Sequence, residues 1–285
     1  MLQLFKFDPE EKVPYFNFLL LISFISSLKN LSIWGLYKVH NPDFFHYPLF
    51  DFLYLGSTES SIILIVFSII ISLFNFYLRN LFLLIVIGII NIYFETQDLL
   101  LVHHDVQFSG VIFILLPLVY LKYIKFYFLE VFFLSVYLVT GLHKLNLYFF
   151  EGDIIRHILI RYPYFGEYAT SLPQSFLQFL AISTVTIEIF FPVILFFNKF
   201  LNKYIKLFMF LIICIYHFTM LTTGTGTVFN LLFPYLFLLL MNNDLKLRKV
   251  FENYNIDFYL ILLFLTYSFF YIIKLFLQLS YGIFN

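Results

Sequence analysis

The polar side chains between residues 137 and 153 interrupt a chain that is otherwise strongly apolar. Lys144 follows Gly141 closely, and Asn146 and Glu151 come within the next loop. One interpretation is interfacial, because a lysine near a helix end reaches water along its apolar stem. The other is chemical: a lysine among apolar walls loses solvation, so its neutral amine becomes available as a base. The glycine favours the chemical interpretation, since it lets another backbone approach closely.

Two adjacent histidines, His103 and His104, stand before Asp105. Adjacent side chains on a helix point about 100° apart, so these imidazoles are not a natural bidentate metal site. No cysteine lies nearby and no HExxH motif occurs, and we therefore predict no metal site. Two interpretations remain, a hydrogen-bonded histidine at a membrane interface and a catalytic histidine.

Two further ionisable residues, Glu188 and His217, fall inside apolar segments. A charged side chain at that depth costs about 2.5–3.5 kcal/mol on insertion scales, which makes Glu188 a functional candidate. The structural interpretations are a buried partner for a lysine or histidine on a facing helix, or a protonated acid bonded to the backbone. Gly224 and Gly226 follow His217 but lack the GxxxxGK[ST] pattern of a phosphate loop.

Long apolar runs must position these residues. The chain is 62% hydrophobic and 12% charged, whereas soluble domains carry about 25% charged residues. A spanning helix needs roughly 20 apolar residues, and lipid admits only helices or closed barrels. Because the runs lack the alternation of barrel strands, we predict an all-α, polytopic integral membrane bundle of about nine spans. The spans are drawn at residues 14–36, 59–78, 81–101, 108–122, 126–146, 175–197, 203–222, 227–241 and 257–281.

The charges of the connecting loops alternate along the chain. Most lysines and arginines occupy one set of loops, whereas most acids and histidines occupy the other. The positive-inside rule then places the N-terminus in the cytoplasm and the C-terminus outside. Five nominated residues fall on the outer side: His103, His104, Lys144, His157 and His217. We infer a polar pocket that opens outward, with residues 150–171 forming a short amphipathic helix on that face.

The organisation of the chain is simple. No internal repeat, linker or cleavable signal peptide is visible, so we predict one transmembrane domain over residues 1–285 with no extramembrane C-terminal domain. Lys+Arg and Asp+Glu number 17 each, which leaves no surplus charge to neutralise phosphates and argues against a nucleic-acid partner. The single cysteine, Cys214, excludes an intrachain disulfide. The expected partner is the lipid bilayer.

The polar landmarks, in this order, resemble a known family. GLHKLN at residues 141–146, followed by FFEG at 149–152, resembles the G-[VL]-x-K-L-[DN]…W-x-E-G stretch of the vitamin K-dependent gamma-carboxylases. The same stretch marks their bacterial relatives, the horizontally transferred transmembrane (HTTM) domain proteins. Further landmarks occur in the family's order: FHYPL at 45–49, His104 before the fourth span, Glu188 with Pro192 in the sixth, and YH at 216–217 followed by GTVF at 226–229, which resembles an F-H…G-x-F segment.

This resemblance implies a nine-helix bacterial membrane enzyme that uses reduced vitamin K or menaquinol, with O2 and CO2 as co-substrates. In that family a neutral lysine amine deprotonates the quinol, and oxygen adds to give an epoxide and a strong base. The base removes a gamma proton from a peptide glutamate, and CO2 adds. Lys144 matches the lysine base, and His104 matches the histidine of the carboxylation half. The remaining nominated residues would line or support the pocket: His103, His143, Asn146, Glu151, His157, Glu188 and His217.

The chain also departs from the family. Phe149 replaces a tryptophan, and His143 stands where many carboxylases have a second lysine. We also expect no large extramembrane domain after the ninth span. We predict a quinone-using, carboxylase-like enzyme of the bacterial cytoplasmic membrane that modifies a secreted peptide. The alternative is a non-enzymatic membrane factor for maturation, export or immunity of a secreted antimicrobial peptide. A transporter ranks lower, because no pair of broken helices occurs in matching halves.

Overall fold

The structure is a computed structural model that describes residues 16–31, 58–95, 104–160, 166–196, 201–222 and 227–242. Over these residues the fold is helical and contains no strand, which confirms the all-α prediction for them. The described helices are α1 (Phe16–Asn30), α2 (Thr58–Leu78), α3 (Leu81–Glu95), α4 (His104–Tyr120), α5 (Phe126–His143), α6 (Leu147–Phe150), α7 (Asp153–Ile160), α8 (Gly166–Ser171), α9 (Gln174–Phe196), α10 (Lys203–Thr222) and α11 (Thr227–Asn242).

Three of the described helices have the length and apolar composition needed to cross a membrane. Their apolar stretches are Ser60–Leu78 in α2, Phe126–His143 in α5 and Gln174–Phe191 in α9. Shorter apolar helices are α1, α3, α4, α10 and α11, so each of the first eight predicted spans contains a helix. These helices indicate a membrane protein. The span at 257–281 and the FHYPL landmark at 45–49 lie outside the described residues, and the nine-span count and the orientation stay predictions.

Asparagine side chains cap the N-terminal ends of two of the shorter apolar helices, α3 and α10. Asn80 stands before α3, and its Oδ1 accepts the backbone N–H of Phe82 at 2.8 Å. Asn202 stands before α10, and its Oδ1 accepts the N–H groups of Tyr204 and Ile205 at 2.9 and 3.0 Å. The first N–H groups of a helix have no partner within the helix, so a capping side chain that accepts from them fixes where the helix starts.

The chain divides into two compact units, which are described separately. Unit 1 comprises Met1–Lys125, Thr227–Tyr235 and Tyr254–Asn285, and unit 2 comprises Phe126–Gly226 and Leu236–Asn253. Helices α1 to α4 therefore belong to unit 1, whereas α5 to α10 belong to unit 2. The prediction of one transmembrane domain over residues 1–285 stays a prediction.

Unit 1 combines apolar packing with buried amide and hydroxyl groups between its helices. Asn91 of α3 donates to Ser26 of α1 at 2.9 Å and to Ser109 of α4 at 3.2 Å. Its Oδ1 accepts from Asn30 at 2.8 Å. A second cluster joins α1 to α2 through three serines, with Ser27 at 2.8 Å from Ser68 and 3.0 Å from Ser72. All of these side chains are buried, and bonds of this kind fix which helices pair within lipid.

Unit 2 is built around α9, the longest described helix in it. The short helices α7 and α8 pack on its first turns through the buried cluster of Leu159, Ala169 and Leu177. One turn further along, Ala181 and Val185 pack against Phe149 of α6. This packing places the segment that follows α5, which begins with Lys144, directly on α9, which carries Glu188.

Candidate functional site

The end of α5 lies close against the middle of α9 because residue 141 has no side chain. A β-carbon at Gly141 would lie 2.7 Å from Cγ1 of Ile189 and 3.0 Å from Cβ of Glu188. Real β-carbons essentially never lie under 3.0 Å from such an atom, so any other residue here would force α9 to shift. The helix ends two residues later at His143, and the residue that follows, Lys144, leaves α5 beside Glu188.

Lys144 and Glu188 form an ion pair. Nζ of Lys144 donates to Oε1 of Glu188 at 2.6 Å and to Oε2 at 2.5 Å. The side chain of Glu188 is 6% exposed, whereas that of Lys144 is 27% exposed. The pair is one of the structural interpretations that the sequence offered for Glu188. Burying the two charges together costs much less than burying the carboxylate alone, since each compensates the other.

Tyr216 of α10 adds a third donor to the same carboxylate. Its hydroxyl donates to Oε1 of Glu188 at 2.7 Å, and it also bonds to Thr184, one turn before Glu188 on α9. Hydrogen bonds from charged and neutral donors stabilise the ionised form of a carboxylate. Lys144 and Tyr216 together therefore direct three donor contacts at the buried Glu188 carboxylate.

A second polar pair joins α5 to α10. Oη of Tyr137 and Nε2 of His217 share a hydrogen bond, and their rings meet edge to face with centroids 6.0 Å apart. Both side chains are buried. The predicted site residues Lys144, Glu188 and His217 thus lie in unit 2, with two tyrosines that the sequence analysis did not nominate.

The missed tyrosines carry a signal in the sequence that is visible only in retrospect. Tyr137 and Gly141 are four residues apart, which places them on one face of α5, and Lys144 follows three residues later, just past the end of the helix. Tyr216 directly precedes His217. Tyrosine is abundant in this chain, with 22 residues, so composition did not single these two out.

The loop after Lys144 is shaped by Asn146. Its Oδ1 accepts the backbone N–H of Phe149 at 2.9 Å and thereby caps α6. Its amide donates to the carbonyl of His143 at 3.1 Å. Asn146 is therefore a local capping residue, and Phe149, the residue at the family's tryptophan position, is buried against α9.

Gly152 turns the chain from α6 into α7 with a positive φ of 84°. A β-carbon there would lie 2.7 Å from Cβ of Leu177, so glycine serves both the turn and the approach to α9. Gln174 supports the same turn, since its amide donates to the carbonyl of Glu151 and to Oδ1 of Asp153 at 3.3 Å. The side chain of Glu151 itself is exposed.

Arg156 holds α7 and α8 together. Its Nη1 donates to the carbonyls of Ala169 and Thr170, both at 3.0 Å. Its Nη2 donates to the carbonyl of Leu172 at 3.1 Å and to Oε1 of Gln174 at 2.8 Å. A cation at the last carbonyls of α8 satisfies groups that have no partner within the helix. The arginine therefore fixes the short helices beside α9.

The remaining nominated residues lie elsewhere. His143, Glu151 and His157 have exposed side chains, and none of them bonds to Lys144 or Glu188 in the described part of unit 2. His104 is the first residue of α4 in unit 1, and its side chain, like the whole of His103, lies outside the described residues. Among the side chains that are described, no three of His, Cys, Asp and Glu form a group that could hold a metal.

The site can exchange a proton. Lys144 and Glu188 are an acid and a base in direct contact, and the side chain of Lys144 is partly exposed. Apolar neighbours strengthen electrostatic interactions between such groups because they exclude water.

No family model matches the chain, and no curated protein or solved structure matches it.

Proposed function

We propose that this chain is a membrane enzyme of the gamma-carboxylase-like kind that uses a reduced quinone to drive modification of a secreted peptide. Its place would be the bacterial cytoplasmic membrane. The observation that carries the proposal is the contact between Lys144 and Glu188, in which a lysine at the end of an apolar helix meets a buried carboxylate. The resemblance of residues 141–152 to the HTTM stretch independently selects the same lysine.

The residues around Lys144 fit an apolar ligand with a polar head. Leu142 and Leu145 are 51% and 50% exposed on either side of the lysine, and Lys144 itself is the accessible member of the ion pair. Ligand sites commonly combine such apolar surface with a few placed polar groups. Lys144 and its two leucine neighbours would hold reduced vitamin K or menaquinol. When bound, the quinol supplies the reaction with O2 to epoxide and water, and with it the strong base that carboxylation by CO2 requires.

The protein's own contribution is the placement of a proton acceptor. Lys144, when neutral, takes the hydroxyl proton of the ligand at Nζ. Glu188 and Tyr216 fix the position of Nζ through the short contacts described above. A ligand that covers Lys144 would exclude water, so solvent would screen the developing charge less.

The experiment that tests the proposal is epoxidation of reduced vitamin K by the purified protein in the presence of O2. We expect the wild type to form epoxide and Lys144→Ala to lose at least about 100-fold in rate, the usual contribution of a positioned base. Lys125→Ala is the control, because Lys125 is exposed in the loop before α5. A wild type that is folded but forms no epoxide from vitamin K hydroquinone or menaquinol would refute the proposal.

A second candidate is a non-enzymatic membrane factor for maturation, export or immunity of a secreted peptide. The observation that favours it is the same pair, because a neutral ion pair that ties α5 to α9 also serves packing alone. Under this function, a double variant in which apolar residues replace Lys144 and Glu188 keeps peptide export or immunity intact in cells. Loss of export and of immunity in this double variant would exclude a purely structural role for the pair.

A further inference from the structure

We propose that Glu188 is the internal acceptor of the Lys144 proton, and that transfer of this proton is the step that turns Lys144 into a base. This inference deepens the proposed function and rests on it for the catalytic step. It assigns Glu188 a positioning and proton-holding role that acts through Lys144. The sequence nominated Glu188 only as a supporting residue.

The geometry shows why an acceptor is needed. Glu188 receives two hydrogen bonds from Lys144 and one from Tyr216, which is the environment of an ionised carboxylate. A lysine bonded to that anion is held as an ammonium group, and an ammonium group has no lone pair with which to accept a proton. Lys144 must therefore lose a proton before it can act as a base. The nearest acceptor atoms are the two Glu188 oxygens, at 2.5 and 2.6 Å.

The transfer balances without any further reactant. One N–H bond of Lys144 breaks, an O–H bond forms at Oε2 of Glu188, and the ammonium–carboxylate pair becomes an amine and a carboxylic acid. Oε1 keeps its bond from Tyr216. The net charge of the site stays zero, so no counter-ion must enter. The amine then takes the hydroxyl proton of the ligand.

Ligand binding provides the driving force. The side chain of Lys144 is 27% exposed in the absence of ligand. An apolar ligand that covers this surface lowers the local dielectric, and a low dielectric disfavours the two charges relative to the neutral pair. The base is thereby released only once the site has closed over its substrate.

The other groups around the pair do not supply the acceptor. Tyr216 opposes the transfer, because its hydroxyl bond to Oε1 favours the carboxylate. Further ionisable side chains on these helices include Tyr137 on α5 and Cys214 and His217 on α10. In the described contacts of unit 2, none of these three bonds to Lys144 or Glu188, and Tyr137 is bonded to His217.

The first test reads the charge of Lys144 without any quinone. Glu188→Gln keeps the shape of the side chain but removes its charge, so the ammonium form of Lys144 loses its partner. Amine acylation of the detergent-solubilised protein, followed by mass spectrometry, modifies only neutral amines. We expect Glu188→Gln to raise the acylation rate of Lys144 about tenfold relative to exposed Lys125. The control Asp153→Asn, which removes an exposed carboxylate, leaves this ratio unchanged.

The second test reads the proton transfer itself through the pH profile of epoxidation. The wild-type rate stays level over about pH 6–8 because the proton moves within the pair, whereas Glu188→Gln must release it to solvent and loses about tenfold per pH unit toward acid. Glu188→Asp retains a carboxyl group and keeps the level profile at a lower rate.

A Glu188→Gln profile like the wild type, or an unchanged acylation ratio, overturns the inference. A wild type without epoxidation refutes the proposed function, and the acylation ratio still decides whether Glu188 controls Lys144.

Discussion

Lys144 and Glu188 lie 44 residues apart in the sequence, yet Nζ of the lysine donates to both carboxylate oxygens of the glutamate. The contact joins the C-terminal end of α5 to the middle of α9. Because residue 141 is glycine, the two helices lie close enough for Nζ of Lys144 to contact the Glu188 carboxylate. The pair is thus both a packing contact between α5 and α9 and a contact between an acid and a base.

The first prediction concerns the mutual dependence of the two charges. Lys144→Met and Glu188→Leu should each lower the free energy of unfolding by about 2 kcal/mol or more, because each leaves a buried or half-buried charge without its partner. The double variant should lie within about 1 kcal/mol of the wild type. The free energy of unfolding of the wild type, the two single variants and the double variant is measured by denaturation in mixed detergent micelles. Strictly additive losses would show that the two side chains are not coupled.

The second prediction concerns the close approach of α5 to α9. Gly141→Ala places a methyl group 2.7 Å from Ile189 and 3.0 Å from Glu188, so the helices must move apart. We expect a loss of about 1–3 kcal/mol in stability, as for other over-packed sites, together with faster acylation of Lys144 because its contact with Glu188 weakens. Val139→Ala, on an exposed position of the same helix, is the control and should change neither quantity. A Gly141→Ala protein of wild-type stability would mean that the helices do not depend on this approach.

The third prediction concerns the buried pair of Tyr137 and His217. Tyr137→Phe deletes one hydroxyl and leaves Nε2 of His217 without that hydrogen bond, which should cost about 1–3 kcal/mol of stability. Tyr127→Phe deletes a hydroxyl from an exposed ring on the same helix, and its cost should stay below about 0.5 kcal/mol. Equal effects of the two substitutions would remove the energetic argument for the pair.

The helices follow from the sequence because their causes are local. Long apolar runs must form helices in lipid, and capping residues such as Asn80 and Asn202 mark their starts. Each of the first eight predicted spans contains a described helix. The single amphipathic helix predicted at residues 150–171 is wrong: the described residues there contain the end of α6 and the separate helices α7 and α8, because Gly152 turns the chain before α7. Arg156 of α7 bonds to the carbonyls at the end of α8.

The candidate site follows from the sequence only in part, because its contacts are long-range. Lys144 and Glu188 could be nominated one by one, since an ionisable residue in an apolar segment is conspicuous. Their pairing depends on how α5 crosses α9, and the spacing of apolar residues does not fix that crossing. Tyr216 could not be nominated, because a tyrosine among 22 acquires its role only when its hydroxyl meets Glu188.

The fourth prediction concerns the amide network of unit 1. Asn91→Leu removes the bonds to Ser26, Ser109 and Asn30 at once. Interhelical bonds in membranes average about 0.6 kcal/mol each, so the loss of three predicts a destabilisation of about 2 kcal/mol. Asn17→Leu is the control, because Asn17 is exposed on α1 and accepts a single bond, from Arg79. An Asn91→Leu protein as stable as its control would show that the three bonds of Asn91 do not stabilise the packing of these helices.

The fifth prediction concerns the arginine that joins α7 to α8. The guanidinium of Arg156 reaches four acceptors, three of which are backbone carbonyls. Arg156→Lys keeps the charge but replaces a planar five-donor fork by a point charge with three donors. We therefore expect faster amide hydrogen exchange in α7 and α8, by about tenfold or more for a loss of 1.4 kcal/mol in local stability. Exchange in α5 should be unchanged, and Arg79→Lys should leave α7 and α8 protected because Arg79 lies in unit 1. If Arg156→Lys exchanged at the wild-type rate, charge at the end of α8 would suffice and the fork geometry would be dispensable.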